Sequence, residues 1–181
     1  MYGIINTSIE ELVINQFGKP VWEEILLKSG LPKKIFLSNE AYDDAITYQL
    51  ATSTAEVVGI TIGDVLLEFG KWWILHTCQH RYGSMLKTGG TDLAEFLIGL
   101  PSFHNRVQLM YPKLSPPEFK VDKLADKQFK VHYFSKRPAL QEFMRGLLLG
   151  LATYFKVDAT VDLIQSREQG FDNEIFEISW N

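Results

Sequence analysis

Gln128-Phe129-Lys130-Val131-His132-Tyr133-Phe134-Ser135-Lys136-Arg137 is the stretch whose reading decides the fold. Apolar and polar residues alternate along it. A period of two marks a strand with one buried face, so Phe129, Val131, Tyr133, Ser135 and Arg137 are predicted to share one side. That side begins apolar and ends in a phenol, a hydroxyl and a guanidinium. Three such tips in a row form a donor-rich grip for a carboxylate or phosphate; they equally suit a strand end running out into solvent.

Working outward, Phe119-Lys120-Val121 reads as a neighbouring strand, joined to the first around Asp126-Lys127. Pro138 is placed at the first position of a long helix reaching residue 155, and Leu147-Leu148-Leu149-Gly150-Leu151 requires that helix to be buried on more than one side. Residues 159–164 and 174–180 flank Gly170-Phe171-Asp172-Asn173 as a terminal hairpin. The order strand-strand-helix-strand-strand gives a four-stranded antiparallel sheet with a covering helix. Upstream the chain is helical. Ile5, Ile9, Leu12, Val13 and Phe17 recur at helical spacing with Gly18 as a stop, and Pro20 opens a second helix to residue 27. Residues 41–58 and 62–78 form two more, the latter with Val65, Leu66, Phe69, Trp73 and Thr77 on one stripe; residues 82–90 read as a loop or short helix. The class is therefore α+β, a single domain over residues 1–181, with a helical N-terminal part to about residue 90 and a sheet part after it.

A chain of 181 residues, 46% apolar, is long enough to bury a full core in one domain. Twelve Phe and four Trp suit walls around a flat apolar ligand, and equally an ordinary aromatic core. A net charge of −4 argues against a nucleic-acid or anionic-membrane partner. The single Cys78 excludes an internal disulfide and a structural zinc site of several cysteines. The start has no basic leader and no apolar run reaches about 18 residues, so a soluble, cytoplasmic protein is expected.

A further helix over residues 92–111 carries Phe96, Leu97, Leu100, His104, Val107 and Tyr111 at spacings of three or four, which puts His104 on the buried stripe. A histidine there is either a hydrogen-bonded core residue or a ligand. Pro101 removes the bond back to Leu97, which predicts a kink or a fresh helix start three residues before His104. His76 and His80 read as surface positions on a helix end, and His132 points to the face opposite Tyr133; none is assigned a ligand role.

In order, His104, the run Tyr111-Pro112-Lys113-Leu114-Ser115-Pro116-Pro117-Glu118-Phe119, and the pattern Tyr133-x-Ser135-x-Arg137 resemble the haem-binding H-NOX domains, among them the haem domain of the soluble guanylate cyclase β subunit. The resemblance runs from Met1 to about Trp180. It implies a haem b (iron protoporphyrin IX) between the helical part and the sheet part, with His104 ligating the iron and Tyr133, Ser135 and Arg137 holding the propionates. By the same resemblance Ile5 and Pro117 press on the porphyrin and help hold it out of plane, and Trp73 and Met144 pack over the distal face. Read from the residues alone, Ile5, Trp73 and Met144 are core and Pro117 is a turn residue.

No Cys, Met or second His is placed to complete the coordination, so the expected iron is five-coordinate and open to a gas. Oxygen-binding members of the family carry a distal tyrosine on the helix after the Arg. The corresponding position here falls on Glu142 or Phe143, and no tyrosine occurs before Tyr154. Bound O₂ depends on a hydrogen-bond donor whereas NO and CO do not, so nitric oxide and carbon monoxide binding with poor O₂ binding is expected. The Trp73 indole N–H, or another donor in place of the missing tyrosine, would make an O₂-binding sensor the alternative. The resemblance implies a sensor and not an enzyme: NO weakens the bond to His104, one part of the domain shifts against the other, and a separate partner, a histidine kinase or a cyclic-di-GMP enzyme, takes the signal. Two other classes stand beside this one. A non-haem regulatory domain of the same fold would bind a carboxylate-bearing apolar molecule through Tyr133, Ser135 and Arg137 and leave His104 without a task. An enzyme would use His104 as a general base, but its stripe offers no Asp, Ser or Cys to work with it.

Overall fold

The computed structural model describes residues 1–31, 35–111 and 115–181. They form two compact units, Met1–Phe69 and Gly70–Asn181. The first holds α1 (Gly3–Phe17), α2 (Lys19–Lys28), α3 (Asp44–Val58) and the start of α4 (Ile62–Trp72). Gly18, at φ +87°, ends α1 and opens α2, whose first turn takes Pro20; only glycine adopts that backbone without strain. Asp43 caps α3 by accepting the Ala45 N–H at 2.9 Å, so this helix begins three residues later than the sequence pattern predicts. Ala41 instead bridges Tyr2. Ile9, Leu12, Val13, Trp22, Ile25 and Leu50 form the buried apolar centre of the unit. Asn6 is fully buried among them, and its Oδ1 accepts the Thr47 hydroxyl at 2.7 Å.

The second unit begins inside α4. At Trp73 the helix widens into a π-helical segment, Trp73–Cys78, before continuing as α5 (Gln79–Lys87). The predicted uniform α-helix to residue 78, with a possible loop from residue 82, is therefore replaced by a longer helical run. It carries a π-turn at Trp73 and a break at Tyr82, whose φ is −134°. Next comes α6 (Leu93–Met110), capped by Asp92, which accepts the Glu95 N–H at 2.8 Å. Pro101 lies within α6, and no new helix starts there.

Strands β1 (Glu118–Ala125), β2 (Gln128–Phe134), β3 (Ala159–Gln165) and β4 (Glu174–Trp180) make one antiparallel sheet in the order β1-β2-β4-β3. The alternation read in the sequence holds along β2: Phe129, Val131 and Tyr133 are buried and face a core shared with Phe176 and Ile178 of β4. A slip of one residue would turn all three to the other face, forfeiting ~1.5–3 kcal/mol for each large apolar side chain. The expected α+β class and four-stranded antiparallel sheet are what form.

The covering helix is α7 (Gln141–Tyr154), which lays Met144, Leu148 and Leu151 on that core. It does not begin at Pro138. Residues 136–139 form bends and Ala139 has φ +54°, a left-handed backbone that cannot sit inside a right-handed helix. Along its other side α7 meets α4 and the π-segment at backbone contact: a Cβ on Gly70 would stand 2.3 Å from the Phe143 carbonyl oxygen, and one on Gly150 would stand 3.0 Å from Ile74 Cβ. No single helix among the described residues is long and apolar enough to cross a membrane.

Candidate functional site

The chemistry-bearing residues of the second unit gather at two ends of one line of rings. At one end is His104, half-buried on α6. Its ring lies 4.4 Å from that of Phe119 on β1, and Phe119 lies 5.6 Å from Tyr133 on β2, its directly paired neighbour in the sheet. Helical spacing places His104 one turn after Leu100, and the ring turns back to donate Nδ1–H to the Leu100 carbonyl at 3.1 Å. A carbonyl only accepts, so the proton of the neutral ring is on Nδ1 and the lone pair on Nε2. Burial pushes the His104 pKa down to about 4, partly offset by the bond to Leu100, and the ring is therefore neutral near pH 7. A neutral imidazole with its tautomer fixed by a backbone carbonyl is the form in which histidine donates to a metal.

Tyr133 stands at the other end, 5% exposed on the inner face. Burial raises its pKa; a hydrogen bond with Ser135 and the guanidiniums of Arg167 and Arg137 pull it down, while Glu174 pushes it up. The strand ends at Phe134, so Ser135 and Arg137 sit in the loop that follows and not on the continued strand the alternation predicts. They stay beside Tyr133 for a different reason. Ser135 Oγ accepts the backbone N–H of Arg137 at 3.1 Å, a turn that folds the loop back on itself. Arg137 Nη1 donates to the Ser115 carbonyl at 2.9 Å, which ties the loop to the segment leading into β1, where Pro117 lies.

The structure thus gathers His104, Tyr133, Ser135, Arg137 and the segment of Pro117 within one unit. Trp73 and Met144 also belong to it: Met144 is buried in the core and Trp73 is half-buried against it, on the π-turn. Ile5 lies on α1 of the first unit, half-buried. Within the predicted run from Tyr111 to Phe119, Pro112, Lys113 and Leu114 lie outside the described residues. His76 and His80 are exposed, His76 stacked on Trp72 with ring centroids 3.7 Å apart, and His132 pairs with Asp122 at 2.8 Å on the outer face.

Two residues that carry the site are absent from the sequence reading. Arg167, from a single 3-10 turn (Arg167–Gln169), donates Nε–H to Glu174 Oε1 at 2.7 Å, Nη1–H to the Ser135 carbonyl at 2.6 Å and Nη2–H to the Arg137 carbonyl at 2.8 Å. Glu174 is 2% exposed, and in the sheet register it stands opposite Tyr133. Its position was readable in principle. Glu174, Phe176 and Ile178 share the inward parity of β4, and a carboxylate pointing into a core calls for a cationic partner.

As a donor set, these residues fit a haem. A neutral imidazole offers Nε2 at one end, a phenol, a hydroxyl and a guanidinium offer donors for two carboxylates at the other, and the aromatic ring of Phe119 lies between. Residues 2–163 match the family described as Haem-NO-binding. The chain is similar to the soluble guanylate cyclase gcy-35 of Caenorhabditis elegans, 32% identical over 176 residues that make up 93% of this chain and 25% of that protein. It is similar also to gcy-37 of the same organism, 29% identical over 173 residues, 93% of this chain and 24% of that one. The chain thus spans about a quarter of the length of these curated relatives. In fold it resembles the crystal structure of an H-NOX protein from S. oneidensis in the Fe(II)NO ligation state, with a TM-score of 0.89, 24% identity and coverage of 100% of this chain and 99% of that one. An Fe(II) unliganded H-NOX mutant from K. algicida gives a TM-score of 0.87 at 27% identity, covering 100% of this chain and 97% of that one.

Proposed function

We propose, from the premise that this chain belongs to the haem-NO-binding (H-NOX) family of haem-based gas sensors, that it senses nitric oxide through a haem b ligated by His104 and that it binds O₂ poorly. The observation that carries the reading is the His104 tautomer: the Nδ1–H bond to Leu100 leaves Nε2 as a lone-pair donor on a ring that burial keeps neutral. Haem bound there supplies a ferrous iron that takes up a diatomic gas. The other tasks fall to the protein. Tyr133, Ser135 and Arg137 offer the charge-assisted bonds without which two buried carboxylates would be costly. Trp73 and Met144 provide apolar cover on the gas side, and Pro117 a rigid edge beside the grip; the role expected of Ile5 rests on the family alone. On α7 neither Glu142 nor Phe143 carries a phenol, and the helix has no tyrosine before Tyr154 at its last position, which supports NO and CO over O₂. Because His104 sits mid-helix, any displacement of its ring is carried by α6. We take the domain to work as a sensor, with the catalytic response in another domain or protein: a guanylate cyclase module, as in its relatives, a histidine kinase or a cyclic-di-GMP enzyme.

The test is an absorption spectrum of the reduced protein under argon, after NO, and in air, on the wild type and on His104→Ala. A five-coordinate ferrous Soret band that moves with NO and not with air is the expected result, and in His104→Ala the band returns when free imidazole is added. A stable oxy spectrum would refute the gas preference. Absence of any Soret band after haem reconstitution would refute the haem reading and favour a non-haem carboxylate-bearing ligand.

A further inference from the structure

The loop after β2 has the wrong construction for a rigid grip if it is considered by itself. Beyond Phe134 the strand ladder ends, residues 136–139 bend, and Ala139 adopts a left-handed backbone. A loop of this kind would have to be ordered when a ligand arrives, and ordering costs affinity. Yet the carbonyls of Ser135 and Arg137 are both held by one side chain. Arg167 uses all three of its nitrogens, one on each carbonyl and one on Glu174.

What holds Arg167 is itself fixed. Its 3-10 turn is closed by a capping box, with the Ser166 N–H donating to Gln169 Oε1 at 3.1 Å, and is stopped by Gly170 in a left-handed conformation. Gln141, at the start of α7, donates to Glu168 Oε1 at 2.7 Å, so the same turn also secures the far end of the loop. Glu174 belongs to β4, which is bonded to a strand on each side, and its side chain is 3% exposed. Its second oxygen has no hydrogen-bond partner among the described residues. The guanidinium of Arg167 is thus its one ion-pair partner among them.

We infer that Arg167, seated on the buried carboxylate of Glu174, is the positioning residue of the carboxylate grip. It fixes the backbone of Ser135 and Arg137 so that their side chains are already aimed when the ligand's carboxylates arrive. This rests on the reading of Tyr133, Ser135 and Arg137 as that grip. A lysine at 167 keeps the charge for Glu174 but cannot bridge three acceptors in one plane. The function of Arg167 therefore separates from its part in folding.

The experiment compares two ligands on four proteins: iron protoporphyrin IX and its dimethyl ester, on the wild type, Arg167→Lys, the charge-free pair Arg167→Gln/Glu174→Gln, and Arg137→Ala. Thermal unfolding of each haem-free protein reports folding. Release to an excess of a high-affinity apoglobin reports retention. In the wild type, esterification is expected to speed release by roughly 100-fold, the worth of charge-assisted bonds. In both Arg167 variants the dicarboxylate is expected to leave roughly tenfold faster than from the wild type while the diester leaves at the wild-type rate, so that the ratio contracts. A loss of equal factor for both porphyrins would mean that Arg167 only supports packing, and no change in either rate would mean that the loop is rigid without it; each overturns the inference. Arg137→Ala isolates the underlying reading: if it leaves the ratio of the two ligands at its wild-type value, the grip itself is wrong, whatever the Arg167 variants do.

Discussion

Gly70→Ala tests whether α4 and α7 are as close as the structure has them. The added Cβ would lie 2.3 Å from the Phe143 carbonyl oxygen, 2.7 Å from the Leu147 nitrogen and 2.8 Å from the Gly146 carbonyl carbon. All three are backbone atoms of α7, so no side chain can swing aside, and α7 must withdraw by about 1 Å to restore ordinary contact. Overpacking of this kind costs ~1–3 kcal/mol, and the rigidity of a helix backbone puts this site at the upper end. Alanine returns ~1 kcal/mol of helix propensity, leaving a net loss of about 2 kcal/mol. For a chain of this length that lowers the melting temperature by about 4–8 °C. The assay is thermal unfolding of the haem-free protein followed by circular dichroism, with Gly83→Ala as the control. Gly83 is also helical, but nothing lies within 4 Å of its virtual Cβ, so the same substitution there is expected to be neutral or slightly stabilising. If Gly70→Ala matches Gly83→Ala, the two helices do not meet at backbone contact, and the close approach of α7 to α4 fails with it.

Three further outcomes are expected. In haem-free protein the His104 ring stays neutral down to about pH 4, whereas an unfolded histidine takes up a proton near 6.5. Its contribution to stability is therefore complete above pH 6.5 and falls by up to about 3 kcal/mol as the pH drops from 6.5 to 4. Denaturant titrations across that window should show the slope in the wild type and not in His104→Gln; parallel curves would refute the buried neutral ring. Arg137→Lys keeps the charge and loses the planar fork, so haem release to an apoglobin should accelerate by about tenfold, and an unchanged rate would deny Arg137 a bidentate role. Phe143→Tyr and Glu142→Tyr each bring a phenol to the first turn of α7; one of the two should yield a stable oxy spectrum in air, and failure of both would argue that something besides the missing donor excludes O₂.

Sequence periodicity served well wherever the cause of structure is local. The alternation of Phe129, Val131 and Tyr133 is a strand because those three residues bury a face together, and the spacing of Phe96, Leu97, Leu100 and His104 is a helix for the same reason. Where the outcome depends on backbone detail, it was less legible. A π-turn changes the hydrogen-bond step by one residue while leaving a similar apolar stripe, so Trp73–Cys78 looked like ordinary helix. Pro138 carries the statistics of a helix start, but the left-handed Ala139 that follows it overrides them, and the helix waits until Gln141.

The two ends of the candidate site differ in the same way, and the difference bears on how each fails. His104 owes its place to helix register and its tautomer to a carbonyl one turn back, both settled within a few residues of sequence. The grip is set by contacts from far along the chain. Ser115, 22 residues earlier, accepts from Arg137, and Arg167, 30 residues later, donates to it. No period or spacing announces such a clamp; its one trace in the sequence is an acid at an inward position of β4. Truncating Arg167 alone leaves Glu174 buried and uncompensated, at a cost of ~3–5 kcal/mol, whereas removing both charges together spares most of that cost. A spread of stability between Arg167→Gln and the charge-free pair, with the His104 carbonyl bond untouched in both, would show that the His104 end and the Arg137 end of the candidate site are built independently.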